Sequence, residues 1–180
     1  AADIDLALQT AAVWKATPVE RGEILKRAAD FFEKNDGELF ALLTREAGKT
    51  LPDAVSELRE SVDFLRYYAG EINHAPALGL VSCISPWNFP VQLTFAPLAG
   101  VFAAGNRTMI KPSEFTPATS ELMKDLFAEV FDEEEVAVFT GGPEVGTAFS
   151  ALPFDHMLFT GATAIAKHVM RAASENLVPL

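Results

Sequence analysis

Apolar residues along the chain follow one period up to about residue 72 and another afterwards. In the first stretch they recur every three to four residues, the spacing of one helix face. "AADIDLALQTAAVWKA" places Ile4, Leu6, Leu8, Ala11 and Ala12 on such a face and predicts a helix ending before Thr17-Pro18. "TPVERGEILKRAADFFEKN" predicts a second, with Thr17 as N-cap, Pro18 at the first helical position and Glu20 closing a capping box. Its apolar stripe is Ile24, Leu25, Ala28, Phe31 and Phe32. "GELFALLTREAGKT" reads as a third helix closed by Gly48. "LPDAVSELRESVDFLRYYAGEI" reads as a fourth, with Ala54, Val55, Leu58, Val62, Leu65 and Tyr68 inward and Glu57, Arg59 and Glu60 in solvent.

From Leu78 the pattern becomes strand, turn, helix, four times over. The strands are "LGLVSCI", "RTMIK", "EVAVFTG" and "HMLFTG". The helices that follow them are "PVQLTFAPLAGVFAAG", "TPATSELMKDLFAEVF", "PEVGTAFSAL" and "TAIAKHVMRAASEN". Short apolar strands alternating with helices predict a parallel sheet covered on both faces. The expected class is therefore α/β: a Rossmann-like parallel sheet with flanking helices, preceded by an N-terminal helical segment. The terminal "LVPL" reads as the start of a fifth strand. The expected organisation is 1–72 helical, 73–78 connection and 79–180 βα units. His74 falls in the connection "GEINHAPALG" and reads as a linker residue.

Composition narrows the function classes. Of the 180 residues, 49% are apolar, enough for one globular core. A net charge of −11 argues against nucleic acid or an anionic membrane as partner. The richest apolar stretch, Val91 to Ala104, carries Pro97 and Gly100 and falls short of the roughly 18 residues a membrane span needs. A lone cysteine, Cys83, excludes an internal disulfide and fits a reducing cytoplasm. Cys83 lies inside an apolar strand and reads as a buried small hydrophobe. His156 begins a strand and His168 lies on a helix, with no partner at metal-ligand spacing; no metal site is expected.

The chemistry-bearing residues cluster after the strands, where open α/β sheets bind ligands. "ISPWNFP" sets a Trp and an Asn side by side between prolines. "KPSEFTP" puts Lys111 and Glu114 three residues apart, before a helix capped by Thr116-Pro117. A carboxylate there can accept from a ribose diol and would repel a 2′-phosphate; a surface ion pair is the equal alternative. "TGGPEVG" and "FTGAT" are glycine-bearing turns into helices, whose free N–H groups favour phosphate. Neither is a G-x-G-x-x-G, and each alone is a weak signal.

Taken in order, "ISPWNFP", "AAGNRTMIKPSEFTP", "GGPEVG" and "FTGATAIAKHV" resemble the cofactor-binding portion of the aldehyde dehydrogenase superfamily, as does "REAGKTLPDAVSELRE" before them. The resemblance runs over essentially the whole chain. Its first part looks most like the glutamate semialdehyde dehydrogenase of proline catabolism, its later part like coniferyl or fatty aldehyde dehydrogenases. It implies that Asn88 is the side-chain donor of an oxyanion hole. It implies that Ile84, Ser85, Pro86 and Trp87 line the nicotinamide side of a cofactor cleft. Lys111, Ser113 and Glu114 would hold the adenosine ribose, favouring NAD over NADP. Gly142, Pro143 and Gly146 would flank the adenine, and Phe159, Thr160 and Gly161 would border the cleft. Ala162 and Ile165 would face the pyrophosphate.

The family usually has Ser where Ala162 stands and Gly where Ala166 stands; losing the Ser removes one hydroxyl contact and leaves backbone donors. In the family the nucleophilic Cys and the general-base Glu lie further along the chain. The expectation is thus a truncated, aldehyde dehydrogenase-like fragment without the catalytic domain, inactive alone. The full-length enzyme would be a homo-oligomer that oxidises an aldehyde with NAD, touching neither nucleic acid nor membrane. A stand-alone nucleotide-binding module and a CoA-acylating relative are the alternatives.

Overall fold

The computed structural model describes residues 2–10, 14–72 and 76–180. Ala11, Ala12 and the linker residue His74 lie outside them. Four helices come first: α1 (Ala2–Thr10), α2 (Pro18–Lys34), α3 (Asp36–Glu46) and α4 (Leu51–Gly70). Strands and helices then alternate as β1 (Leu80–Ile84), α5 (Gln92–Ala103), β2 (Arg107–Lys111), α6 (Pro117–Ala128), β3 (Val136–Val138), α7 (Pro143–Ser150), β4 (His156–Phe159) and α8 (Thr163–Ser174).

Local signals account for several boundaries. Thr17 accepts the Glu20 N–H while the Glu20 carboxylate accepts the Thr17 N–H, so the capping box forms at α2. Gly48 takes a φ of 65°, where a side chain is disfavoured, and turns the Lys49 N–H back onto the Leu43 carbonyl after α3. Thr50 accepts the Asp53 N–H and caps α4.

The sheet is parallel throughout, in the order β3-β2-β1-β4. Cys83 pairs with Ile110 on one side and with Leu158 on the other. The chain steps outward from β1 to β3 and then returns to place β4 on β1's free side. β1 and β4 therefore flank a topological switch point, and all four carboxyl ends open on one edge.

Each face of the sheet carries its own core. Cys83, Ile110, Val136 and Val138 pack with α2 to α6, while Met109, Ala137 and Met157 pack with Phe149, Phe154, Val169 and Ala173. The first core is strongly aromatic. Phe32 of α2 meets Phe95 of α5 edge-on at 4.6 Å, and Phe95 stacks on Phe127 of α6 at 5.1 Å. Burying each such ring contributes about 1.5–3 kcal/mol. This column fixes α5, the helix that follows the Trp-Asn turn.

Two expectations about the elements need correction. The first helix does not run on to Thr17: Trp14 is not helical and is buried against Phe102 and Phe131. "LVPL" is not a strand: Leu177 has a φ of 55°, and Met157 donates to the Pro179 carbonyl in a single backbone contact.

Candidate functional site at the carboxyl edge of the sheet

Backbone bonds carry the sheet's register into the turns that follow it. The Thr160 N–H donates to the Ile84 carbonyl at 3.0 Å, and the Ser85 N–H donates to the Lys111 carbonyl at 3.3 Å. The turns after β1, β2 and β4 are thus stitched side by side. Ser85 is buried, Ile84 and Pro86 are half-buried, and Trp87 and Asn88 are exposed, Trp87 to 48%. Among the described residues no side-chain hydrogen bond holds Asn88, so its amide is available to a ligand.

The turn itself is clamped from both flanks. Thr94 of α5 is fully buried, donates to the Pro90 carbonyl at 2.7 Å and shares a 2.7 Å bond with the Ser85 hydroxyl. On the other flank, the Glu57 carboxylate accepts the Val91 N–H at 2.8 Å and the Gln92 N–H at 3.2 Å. These are orphan donors of the α5 N-terminus, where Val91 offers no side-chain cap. Lys49 Nζ lies 2.9 Å from the other Glu57 oxygen, with the two side chains 7% and 0% exposed. The same ammonium sits 3.4 Å from the centre of the Phe89 ring.

Glu57 is therefore not on a solvated face, and that expectation is overturned. A residue three after buried Ala54 and four before buried Ser61 falls on the inward stripe of α4. That position was the available signal. A carboxylate there persists because an ammonium and two backbone N–H groups compensate its burial.

At the end of β2, Lys111 is buried; its ammonium donates to the Pro112 carbonyl at 2.7 Å and lies 3.6 Å from Glu114. Burial pushes the Lys111 ammonium below the usual lysine range, against the opposing pull of Glu114 and Glu144. A third of the Glu114 side chain remains exposed, open to a partner. Ser113 is buried; its hydroxyl accepts the Phe115 N–H and its carbonyl accepts the Ser120 hydroxyl. The Thr116 hydroxyl caps nothing, contrary to expectation. Glu46 of α3 does so in its place, accepting the Ala118 N–H at 3.0 Å and the Thr119 N–H and hydroxyl at 2.7 Å each.

The glycine turns complete the edge. Gly142 is the N-cap of α7 and Pro143 its first residue; a Cβ on Gly142 would come within 2.7 Å of the Glu144 carboxylate. A Cβ on Gly146 would meet nothing, so that face of α7 is open. A Cβ on Gly161 would fall 2.7 Å from the Phe159 ring. Thr160, Gly161, Ala162 and Ile165 are exposed at the start of α8, whose N-cap Ala162 makes no side-chain bond. Its first N–H groups carry the positive end of the helix dipole with no side chain competing for them.

These features fit a dinucleotide: an available carboxylate beside an ammonium, small residues where a flat ring could lie, and an uncapped helix start for phosphate. Cys83 stands apart. It is a fully buried thiol, and burial pushes its pKa up to about 12. Among the described residues no cluster of His, Cys, Asp and Glu could hold a metal ion, and no helix is long and apolar enough to cross a membrane.

Comparison with known proteins agrees with this geometry. The profile of the aldehyde dehydrogenase family matches residues 1–180. A probable coniferyl aldehyde dehydrogenase of Caulobacter vibrioides is 78% identical over 102 residues, 57% of this chain and 21% of the relative. The bifunctional protein PutA of Klebsiella aerogenes is 39% identical over 186 residues, 96% of this chain and 14% of the relative. The matched segment spans about a fifth of the coniferyl-type relatives. Among solved structures, PnpE in complex with nicotinamide adenine dinucleotide superposes with a TM-score of 0.89 at 29% identity, over 99% of this chain and 42% of that one.

Proposed function

The chain belongs to the aldehyde dehydrogenase family, and from that premise we propose that it forms the NAD-binding portion of an NAD-dependent aldehyde dehydrogenase. The observation that carries the reading is the exposed, unpartnered Asn88 amide at the switch point, on a turn clamped by Glu57 and Thr94.

Each group then has a task. Glu114 accepts from the ribose hydroxyls, with Lys111 beside it as a donor and Ser113 shaping the turn. Gly142, Pro143 and Gly146 leave room for the adenine. Ala162 and Ile165 stand at the α8 N-terminus, which faces the pyrophosphate. Ile84, Ser85, Pro86 and Trp87 line the nicotinamide side, and Phe159, Thr160 and Gly161 close the opposite wall. Bound there, NAD supplies the acceptor for the aldehyde's hydride. The Asn88 amide donates to the aldehyde oxygen as a thiolate attacks and negative charge gathers on that oxygen. Cys83 does not supply the thiolate, because its sulfur is sealed in the core on the helical side of the sheet.

Two aldehydes are the first to try: coniferyl aldehyde, which relatives over part of the chain name, and glutamate semialdehyde, which the resemblance of the first part of the chain implies. The test is NADH formation by the enzyme carrying this chain with each aldehyde in turn, together with calorimetry of NAD. NADH from either aldehyde, with saturable NAD binding, supports the reading. No NADH from either and no NAD binding would overturn it.

A further inference from the structure

The oxyanion donor proposed above sits on a turn whose own bonds, Thr94 to the Pro90 carbonyl and Leu93 to the Phe89 carbonyl, fix the backbone on its α5 side. Trp87 and Asn88 make no side-chain hydrogen bonds among the described residues, and the turn lies outside the sheet's ladder. A second hold comes from residues more than thirty positions earlier. Glu57 binds the Val91 and Gln92 N–H groups through one oxygen and Lys49 through the other. Lys49 in turn sits over the ring of Phe89, next to Asn88. The path from α4 to the amide is therefore short: the buried carboxylate holds the α5 N-terminus, the ammonium beside it holds the Phe89 ring, and Asn88 is the residue immediately before Phe89.

We infer that the Lys49–Glu57 pair is the positioning element for Asn88, setting where its amide donor points. This rests on the oxyanion reading of Asn88. The physical ground is that an uncharged α5 N-terminus cap would fix Val91 alone, whereas this pair also ties down Phe89. A buried pair closed by two backbone N–H groups and a ring has little freedom to shift. Neither residue touches substrate or cofactor; both act through the turn.

The test is a double-mutant cycle in the enzyme carrying this chain. Glu57→Gln keeps an acceptor for Val91 but removes the charge that holds Lys49. It lowers kcat about 10- to 100-fold, the effect of a small misplacement of a reacting group, and leaves NAD affinity unchanged. In an Asn88→Ala background the same change has no further effect on kcat, because the group it positions is gone. Equal loss in both backgrounds would overturn the positioning role while leaving the oxyanion role intact. An Asn88→Ala enzyme with unchanged kcat would instead remove the oxyanion reading itself.

A second readout needs no catalysis. Chymotrypsin cleaves after exposed Trp, and Pro90 protects the bond after Phe89. Cleavage between Trp87 and Asn88 in the folded chain accelerates at least about tenfold in Glu57→Gln and in Lys49→Met, with the far-ultraviolet circular dichroism unchanged. A cleavage rate equal to the parent's in both variants overturns the inference. If Glu57→Gln does not fold, Lys49→Met carries both arms, since it leaves the Glu57 bonds to Val91 and Gln92 in place.

Discussion

Glu46, the last residue of α3, caps a helix that begins only at Pro117: its carboxylate accepts both the N–H and the hydroxyl of Thr119 at 2.7 Å. Glu57 does the same for α5 through Val91. Arg21 of α2 completes the scheme at the other end of α5, donating to the Ala103 carbonyl at 3.2 Å and to Ala16 at 2.9 Å. Anions meet helix N-termini and a cation meets a C-terminus, the pairing the helix dipole favours. The helical segment is thus not a separate unit. It supplies the caps that the two helices following β1 and β2 lack, and so sets the turns at the carboxyl edge.

Replacing Glu46 with Ala is expected to cost about 1 kcal/mol, the usual worth of a lost N-cap, read as a lower thermal midpoint. The sign of the pH effect follows from its ionisation. Burial raises the carboxyl's pKa, but the bonds from Thr119 and Ala118 outweigh it and hold it below the ordinary 4.5. Its contribution is present above the unfolded value and is lost as pH falls through the depressed folded value. The midpoint difference between the parent and Glu46→Gln should shrink as pH drops below about 4.5. A difference that stays constant through that range would show that the charge is not what caps α6.

Asn88→Ala should lower kcat about 10²–10³-fold and leave NAD affinity within about twofold, since in the role proposed for it the amide serves the aldehyde oxygen and not the nucleotide. Steady-state kinetics beside NAD calorimetry separates the two quantities. A matched loss of both would place Asn88 in cofactor binding.

Elements whose determinants are local were legible in the sequence. β2 has the bounds its run "RTMIK" predicts, because both its faces are buried and Gly105 and Pro112 bracket it. The capping box at Thr17 needs only four residues and forms as written. Features that depend on distant partners were not legible. Glu57 looked solvated because a charge on a helix usually is, and the groups that compensate it are Lys49 and a helix end 34 residues on. Thr116 looked like a cap because Pro117 follows it, but the capping carboxylate comes from α3. "LVPL" has strand composition, yet a strand needs a ladder, and only Met157 to Pro179 is made. For the site, the sequence pointed to the edge; the clamp on its central turn became visible only in three dimensions.

Glu114 should set the choice between NAD and NADP. In the ribose role proposed for it, its partly exposed carboxylate would meet a 2′-phosphate with a second negative charge, and the buried Lys111 beside it would do little to offset that. Glu114→Ser is expected to shift the ratio of kcat/KM for NAD over NADP by at least about tenfold toward NADP, about 1.4 kcal/mol. Glu114→Asp should shift it less. An unchanged ratio in Glu114→Ser would remove the ribose role and leave a surface ion pair.

Cys83 should be inert. Its thiol is fully buried between β2 and β4 in the register of the sheet, and its pKa is pushed up to about 12. At pH 8 a thiol with that pKa is thiolate to about one part in 10⁴, and the thiolate is the reactive form. An aromatic disulfide reagent should therefore not modify Cys83 in the native chain and should modify it once a denaturant unfolds the chain. Cys83→Ala removes one sulfur from a packed strand, costs on the order of 1 kcal/mol in stability and leaves kcat unchanged. A native thiol that reacts at once, or an alanine variant without turnover at full thermal stability, would make Cys83 the nucleophile. That outcome would require β1 to open, since its side chain points into the core shared with Ile110 and Phe95.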